Sequence, residues 1–215
     1  MMRDVTKYNK KIAYRWNIFL RRFVNKRNRR MLNNTTFSLL CNNCNGGILS
    51  HDLGLQFRSP TINLFFYEDH FLRFCENLDY YLQQELTICE NPHQKPESDY
   101  PICSLGDLEL HFLHYSSFAE AKEKWNSRAK RIDKNNLFIM MSCFDANDHK
   151  YLERFDNLPF KNKVIFVEKK FPEYATAFFI PGYENGLGVL SLFDGLTGKR
   201  KIDQFDYVKW FNEGL

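Results

Sequence analysis

Between residues 8 and 26 the large apolar side chains fall three and four positions apart: Tyr8, Ile12, Trp16, Phe19, Leu20 and Phe23. Lys11, Arg15, Arg22 and Lys26 lie between them. That spacing predicts an amphipathic basic helix with aromatic anchors. From residue 35 the pattern becomes strand followed by helix. "TTFSLLC" (35–41) predicts a buried strand, and Gly46–Gly47 opens a short helix toward Leu55. "SPTINLFF" (59–66) predicts a second strand, followed by a helix over 67–84 in which Phe71, Phe74, Leu78 and Leu82 keep helical periodicity. "ELTICE" is a short strand, and "NPHQKPESDYP" (91–101) is a polar, proline-rich loop.

The second half repeats the scheme. "GDLELHFLHY" (106–115) alternates Leu108, Leu110 and Phe112, as a half-buried strand does. The following helix starts at a capping box of Ser117 and Glu120. A buried strand (135–143), a helix in "DHKYLERFDNL" and a strand over 163–170 come next. "TAFFI" and "GVLSLF" predict edge strands, and "DQFDYVKWFNE" a closing helix. Such alternation predicts an α/β fold with a mostly parallel sheet flanked by helices. The expected layout is a basic amphipathic arm over 1–33 and a single α/β domain over 34–215.

Charge sharpens this division. Residues 1–30 hold eleven Lys or Arg and one acid, Asp4, whereas the rest of the chain holds nineteen basic and twenty-five acidic residues. A basic arm on a mildly acidic body can lie on an anionic membrane surface. The alternative is that its apolar side docks on the body and its charges stay in water. Nucleic acid is not expected as a partner, because the body lacks the basic footprint. No apolar run approaches the roughly 20 residues of a membrane span, and no secretory h-region is seen, so a cytoplasmic location is expected.

Ligands of open α/β sheets bind beyond the carboxyl ends of the strands. Asn42, Asn43 and Cys44 follow the first predicted strand, Glu68 and Asp69 the second, and His114 and Tyr115 end the strand over 106–115. Asp145 and Asp148 follow the next, and Lys169 and Lys170 the last long one. If all five strands are parallel, these groups share one rim. The alternative is that loops are polar in any protein.

"CNNCNGG" (41–47) admits several readings. Zinc is not expected, since no second C-x-x-C exists and His51 supplies only a third ligand. A redox dithiol would place Cys44 at a helix start. As a strand-to-helix turn, Gly46 and Gly47 would present amides to a phosphate or an oxyanion, with side-chain donors from Asn42 and Asn43 and with Cys44 as nucleophile or donor. A plain tight turn with a buried cysteine is the fourth reading. Lys124, Arg128 and Arg131 fall on one face of a helix and can hold an anion or stay solvated. His114 is the candidate general base.

"SLLCNNCNGGILSHDLGLQFRSPTINLFF", "YPICSLGDLELHFLHYSSFAEAKEKWNSRAKRI" and "FDNLPFKNKVIFVEKKFP" resemble a bacterial domain family of unknown function labelled exopolysaccharide biosynthesis protein. The family pattern is a small polar residue, N-N-C, an aromatic residue, then G-G. Here Cys41 takes the first place and Asn45 the aromatic one. The resemblance implies a role in capsule or exopolysaccharide assembly without supplying a reaction.

The combined expectation is transfer of an acyl or similar group onto a saccharide or lipid-linked saccharide at the cytoplasmic membrane face. His114, Cys44 and Asn43 would be catalytic. Asn42, Gly46, Gly47, Tyr115, Lys124, Arg128, Arg131 and Asp145 would bind substrate, with an acyl-thioester or nucleotide-sugar donor. Glycosyl or phosphoglycosyl transfer, and a non-catalytic saccharide- or nucleotide-binding accessory role, remain as alternatives.

Overall fold

The computed structural model describes residues 2–93, 99–143, 149–181 and 190–214, with side chains from residue 10 onward. The first half runs α1 (Met2–Met31), β1 (Ser38–Cys41), α2 (Asn45–Leu53), α3 (Glu68–Glu76), α4 (Leu78–Gln83) and β2 (Leu86–Ile88). Next come β3 (Ile102–Leu105), β4 (Leu108–His111), α5 (Phe118–Ala129) and β5 (Leu137–Ser142). The chain continues through α6 (His149–Asp156), β6 (Asn162–Val167), β7 (Ala177–Phe179) and α7 (Tyr207–Glu213).

A parallel sheet has the order β1-β5-β6-β7, and β2, β3 and β4 form a separate antiparallel sheet. The fold is α/β, with helices flanking the parallel sheet. That sheet is buried on both faces, which is why its strands read as unbroken apolar runs. Leu40, Ile139, Met141, Ile165 and Val167 enter one core with Phe74 of α3, Trp125 of α5, Phe155 of α6 and the antiparallel sheet. The alternate residues Leu39, Phe138, Met140, Val164 and Phe166 enter the other, with Leu49 of α2 and Trp210 of α7.

Four expectations are corrected. Residues 59–66 are not a strand: Pro60 and the left-handed Asn63 (φ 61°) break the extended path. The segment instead lies along the edge of β1, where Thr61 Oγ1 accepts from the Cys41 amide (2.9 Å), and Phe65 bridges to His111. The helix over 67–84 is two helices, divided at Asn77 (φ −128°). Next, β4 is not in the parallel sheet. Gly106 and Asp107 make a two-residue turn, with Gly106 at φ 61°, that folds β4 back on β3. Of the second predicted edge strand, 188–193, the part from Leu190 is described and is not a strand, although Phe193 bridges to Arg200.

α1 packs with its polar face inward. Asn17 Nδ2 donates to the Gly195 carbonyl (2.9 Å), and its Oδ1 accepts from the Gly198 amide (2.9 Å). One turn on, the buried Arg21 pairs with Asp52 (2.9 Å) and with Asp203. Asn25 donates to Asp52 (3.0 Å) and Asn28 to the Tyr207 hydroxyl (2.7 Å). Burial would lower the Arg21 pKa, but the surrounding Asp203, Tyr207 and Asp52 raise it on balance. The apolar row faces outward instead: Ile12 is 51 %, Trp16 49 %, Phe19 48 % and Phe23 59 % exposed. The expected docking of the apolar side is limited to Leu20, half-buried against Gly198, and to the bond from Trp16 Nε1 to the Leu196 carbonyl (3.2 Å). Among the described residues no helix is long and apolar enough to cross a membrane.

Candidate functional site

The turn leaving β1 holds itself together. Asn42 acts as an extra rung of the parallel sheet: its Nδ2 donates to the Ser142 carbonyl and its Oδ1 accepts from the Ser142 amide, both at 2.9 Å. Asn43 Oδ1 accepts from the Asn45 amide (3.0 Å) and lies 3.5 Å from Cys41 Sγ. Asn45 Nδ2 donates to Ser142 Oγ (3.2 Å), while its Oδ1 is buried with no hydrogen-bond partner. Asn42, Asn43, Cys44, Asn45, Gly46 and Gly47 are all buried.

The two glycines act first as packing devices. A Cβ on Gly46 would lie 2.9 Å from Cys41 Cβ, and one on Gly47 would lie 2.4 Å from Asn63 Oδ1. Without side chains there, α2 lies flush on β1 and on the segment beside it. Within the turn the Asn45 amide is engaged by Asn43, and the Gly46 backbone is close enough to the Cys41 sulfur to favour its thiolate. Burial pushes the Cys41 thiol up to about 12 and also raises that of Cys44. Both cysteines are free thiols, protonated at neutral pH.

The turn does meet part of the cationic helix face. Tyr115, buried, donates its hydroxyl proton to the Ile62 carbonyl (2.7 Å) and accepts from Arg128 Nη1 (2.5 Å). Burial raises the Tyr115 pKa, Arg128 opposes this, and Cys44 is near enough to add to it. The Arg128 guanidinium also lies 5.2 Å from the Phe57 ring centre. Arg131 donates to the Phe57 carbonyl (3.1 Å) and to Ser127 Oγ (2.9 Å). Lys124 pairs with Glu123 (3.1 Å).

Of the residues singled out in sequence, the structure thus gathers Asn42, Asn43, Cys44, Gly46, Gly47, Tyr115 and Arg128, with Arg131 beside them. His114 is exposed on the turn after β4, and it is the neighbouring Tyr115 that points inward. Asp145 and Asp148 lie outside the described residues. Glu68 and Asp69 begin α3 rather than ending a strand, so the five-part rim does not form.

A second polar cluster escaped the sequence reading. Glu109 and His111, two apart on β4, share a strand face and are 4 % and 3 % exposed. Glu109 Oε1 lies 2.7 Å from His111 Nε2, and its Oε2 accepts from the His93 amide (2.9 Å) and lies 3.0 Å from His93 Nδ1. The Glu109 amide donates to His70 Nδ1 (2.7 Å), and the Tyr100 hydroxyl lies 3.1 Å from His111 Nδ1. Burial works against the Glu109 carboxylate, but the bonds from His93 and His111 hold its pKa below the usual range. The alternation Glu109–Leu110–His111 was the available signal. Among the described residues no group of three or more His, Cys, Asp or Glu is placed to hold a metal ion.

Together these features define an α/β protein with a self-contained strand-end turn, a cationic flank and histidines gathered around the buried Glu109 on a second sheet. The chain belongs to the family described as Domain of unknown function (DUF1919), which matches residues 15–212. It is also 45 % identical over 192 residues to an uncharacterized protein of Haemophilus influenzae, covering 88 % of this chain and 91 % of that relative.

Proposed function

We propose that the protein works at the cytoplasmic face of an anionic membrane and moves an acyl or similar group onto a saccharide in surface-polysaccharide assembly. The observation that carries this reading is the orientation of α1. Its polar side is tied to the body, and Ile12, Trp16, Phe19 and Phe23 are held outward. Lys11, Arg15, Arg22 and Lys26 are exposed on the same helix. Aromatic and apolar side chains bordered by cations suit the headgroup region of an anionic bilayer. The link to polysaccharides rests on the family resemblance. Arg128 supports a phosphate-bearing donor, since its hydrogen bond is to a neutral phenol rather than a carboxylate. The protonated thiols and the internally bonded asparagines of the turn favour, as a second reading, an accessory protein that binds the saccharide or nucleotide without reacting.

Sedimentation with vesicles tests the membrane half. The full chain should co-sediment with phosphatidylglycerol vesicles and much less with phosphatidylcholine ones, and salt should weaken the binding without abolishing it. The triple substitution Trp16→Ser, Phe19→Ser, Phe23→Ser should abolish binding without unfolding the body. Unchanged binding by that variant would refute the reading, and so would self-association that only the native sequence shows. A thermal-shift screen of acyl-thioesters and nucleotide sugars addresses the donor, because a ligand selective for the native state stabilises it. Arg128→Ala should remove the shift.

A further inference from the structure

We infer that Tyr100, His111 and Glu109 form a proton relay that withdraws the proton of a bound alcohol, placing acid–base chemistry on the antiparallel sheet rather than at the end of β1. The substrate class is a hydroxyl-bearing small molecule, which in the reading above is the saccharide acceptor. The inference rests on that reading for the identity of the acceptor alone.

The order of the groups fixes the direction of transfer. Glu109 is ionised, so His111 Nε2 at 2.7 Å carries a proton toward it. In the tautomer that donates from Nε2, Nδ1 accepts, and the group 3.1 Å from it is the Tyr100 hydroxyl. The phenol proton therefore points at His111. Hydroxyl, imidazole and buried carboxylate in this sequence make an activated hydroxyl whose base is oriented by a third group. His93 bonds the second carboxylate oxygen and His70 receives the Glu109 amide, so the carboxylate is fixed from both sides. Cys89 and the ring of Tyr67 complete the surroundings of Glu109 and His111.

Tyr100 is the member of the relay that also lines a cavity. It is half-buried and lines a cavity of about 390 Å³ together with Cys89, Asp99, Ser116, Ser117 and Phe118. Hydroxyl and carboxylate groups beside an aromatic ring suit a polyhydroxylated ligand. In the proposed step the substrate O–H bond breaks and its proton passes to Tyr100 Oη, while the phenol's own proton passes to His111 Nδ1. The substrate oxygen keeps the electron pair. Tyr100 is regenerated, and the imidazolium is held against Glu109. Burial, Tyr67 and the negative Glu109 raise the Tyr100 pKa, so the phenol keeps its proton until the substrate's replaces it.

An aryl sulfonyl fluoride tests the relay without knowledge of the substrate. It forms a sulfonate ester with a tyrosine oxygen, fluoride leaves, and the phenol proton must go to a base. On the native protein near neutral pH, site-resolved mass spectrometry should find Tyr100 modified at least ~10-fold faster than the exposed Tyr80, a modest share of what general-base assistance supplies. Its rate should level off above an inflexion instead of climbing in proportion to hydroxide. Glu109→Gln should slow the labelling and move that inflexion to lower pH, because the imidazolium loses its anionic partner. A role limited to packing would not move it. Equal rates at Tyr100 and Tyr80, or a hydroxide-proportional profile in the native protein, would overturn the relay even if the variant fails to fold. Failure of the saccharide reading would leave the labelling unchanged.

Discussion

Two buried polar networks in this protein are built from different chemistry. The one under α1 joins Arg21, Asp52, Asp203 and Tyr207, and Arg200 adds a further cation 3.2 Å from Asp52. The one on β4 joins Glu109, His111, His93, His70 and Tyr100. The first pairs two guanidiniums with two carboxylates around the Tyr207 hydroxyl, opposite charges in direct contact that act as a fastener. The second uses imidazoles and a phenol around one carboxylate, groups able to exchange protons. Burial alone therefore does not reveal a network's purpose; the proton affinities of its members do.

If the first network is a fastener, breaking it should produce the largest effect. Asp52→Ala leaves Arg21 and Arg200 without a carboxylate they share, and Asn25 without its acceptor. Removing one partner of a buried pair costs about 3–5 kcal/mol. Urea unfolding at neutral pH should show a loss of that size, with α1 becoming sensitive to protease. A loss below about 1 kcal/mol would mean that α1 is held by something else. Gly198→Ala attacks the same seam sterically. Its Cβ would lie 2.6 Å from Leu20 Cβ and 2.8 Å from the Arg21 nitrogen, at a φ of +72°. Overpacking of this kind costs about 1–3 kcal/mol, and here it should loosen α1 before it unfolds the sheets.

The second network should announce itself through pH. Burial and Arg73 hold His70 below the ordinary imidazole range. The unfolded chain then takes up that proton first, so stability is full above about pH 6.5 and falls as pH drops toward the lower folded value. Glu109 has a lowered pKa as well, so its contribution is present above about 4.3 and is lost as pH falls through its folded value. Unfolding free energies measured from pH 7.5 to 3.5 should show both windows. His70→Asn should flatten the upper one and Glu109→Gln the lower. An unchanged slope in His70→Asn would remove that histidine from the account.

The same contrast explains what the sequence made legible. Strands buried on both faces and helices with one apolar face leave strong periodic marks, so β1, β5, β6 and the flanking helices could be read directly. The hairpin could not be read without taking Gly106–Asp107 as a turn, and that omission carried β4 into the wrong sheet. A parallel β4 would offer its carboxyl end at His114, whereas a strand folded back in a hairpin offers its face, where Glu109 and His111 lie. Similarly, Ile12, Trp16, Phe19 and Phe23 announced a helix, but a moment has direction only relative to a core. Asn17, Arg21, Asn25 and Asn28, also at helical spacing, needed partners at positions 52, 195, 198, 203 and 207 that no local window contains.

The smallest effect is expected at His114, and it sharpens the comparison most cheaply. Its side chain is exposed, whereas Tyr115 beside it is buried and bonded to Ile62 and Arg128. His114→Ala should change stability by no more than about 0.5 kcal/mol, as surface substitutions usually do. Tyr115→Phe strips the Ile62 carbonyl of its donor and should cost about 1–3 kcal/mol by thermal or urea unfolding. Near-equal losses would mean that the turn after β4 is not divided into an outer and an inner residue. Should His114→Ala instead keep its stability yet lose saccharide transfer in a reconstituted assay, the acid–base work would belong to the end of β4. The buried cluster on its face would then be a fastener like the seam beneath α1.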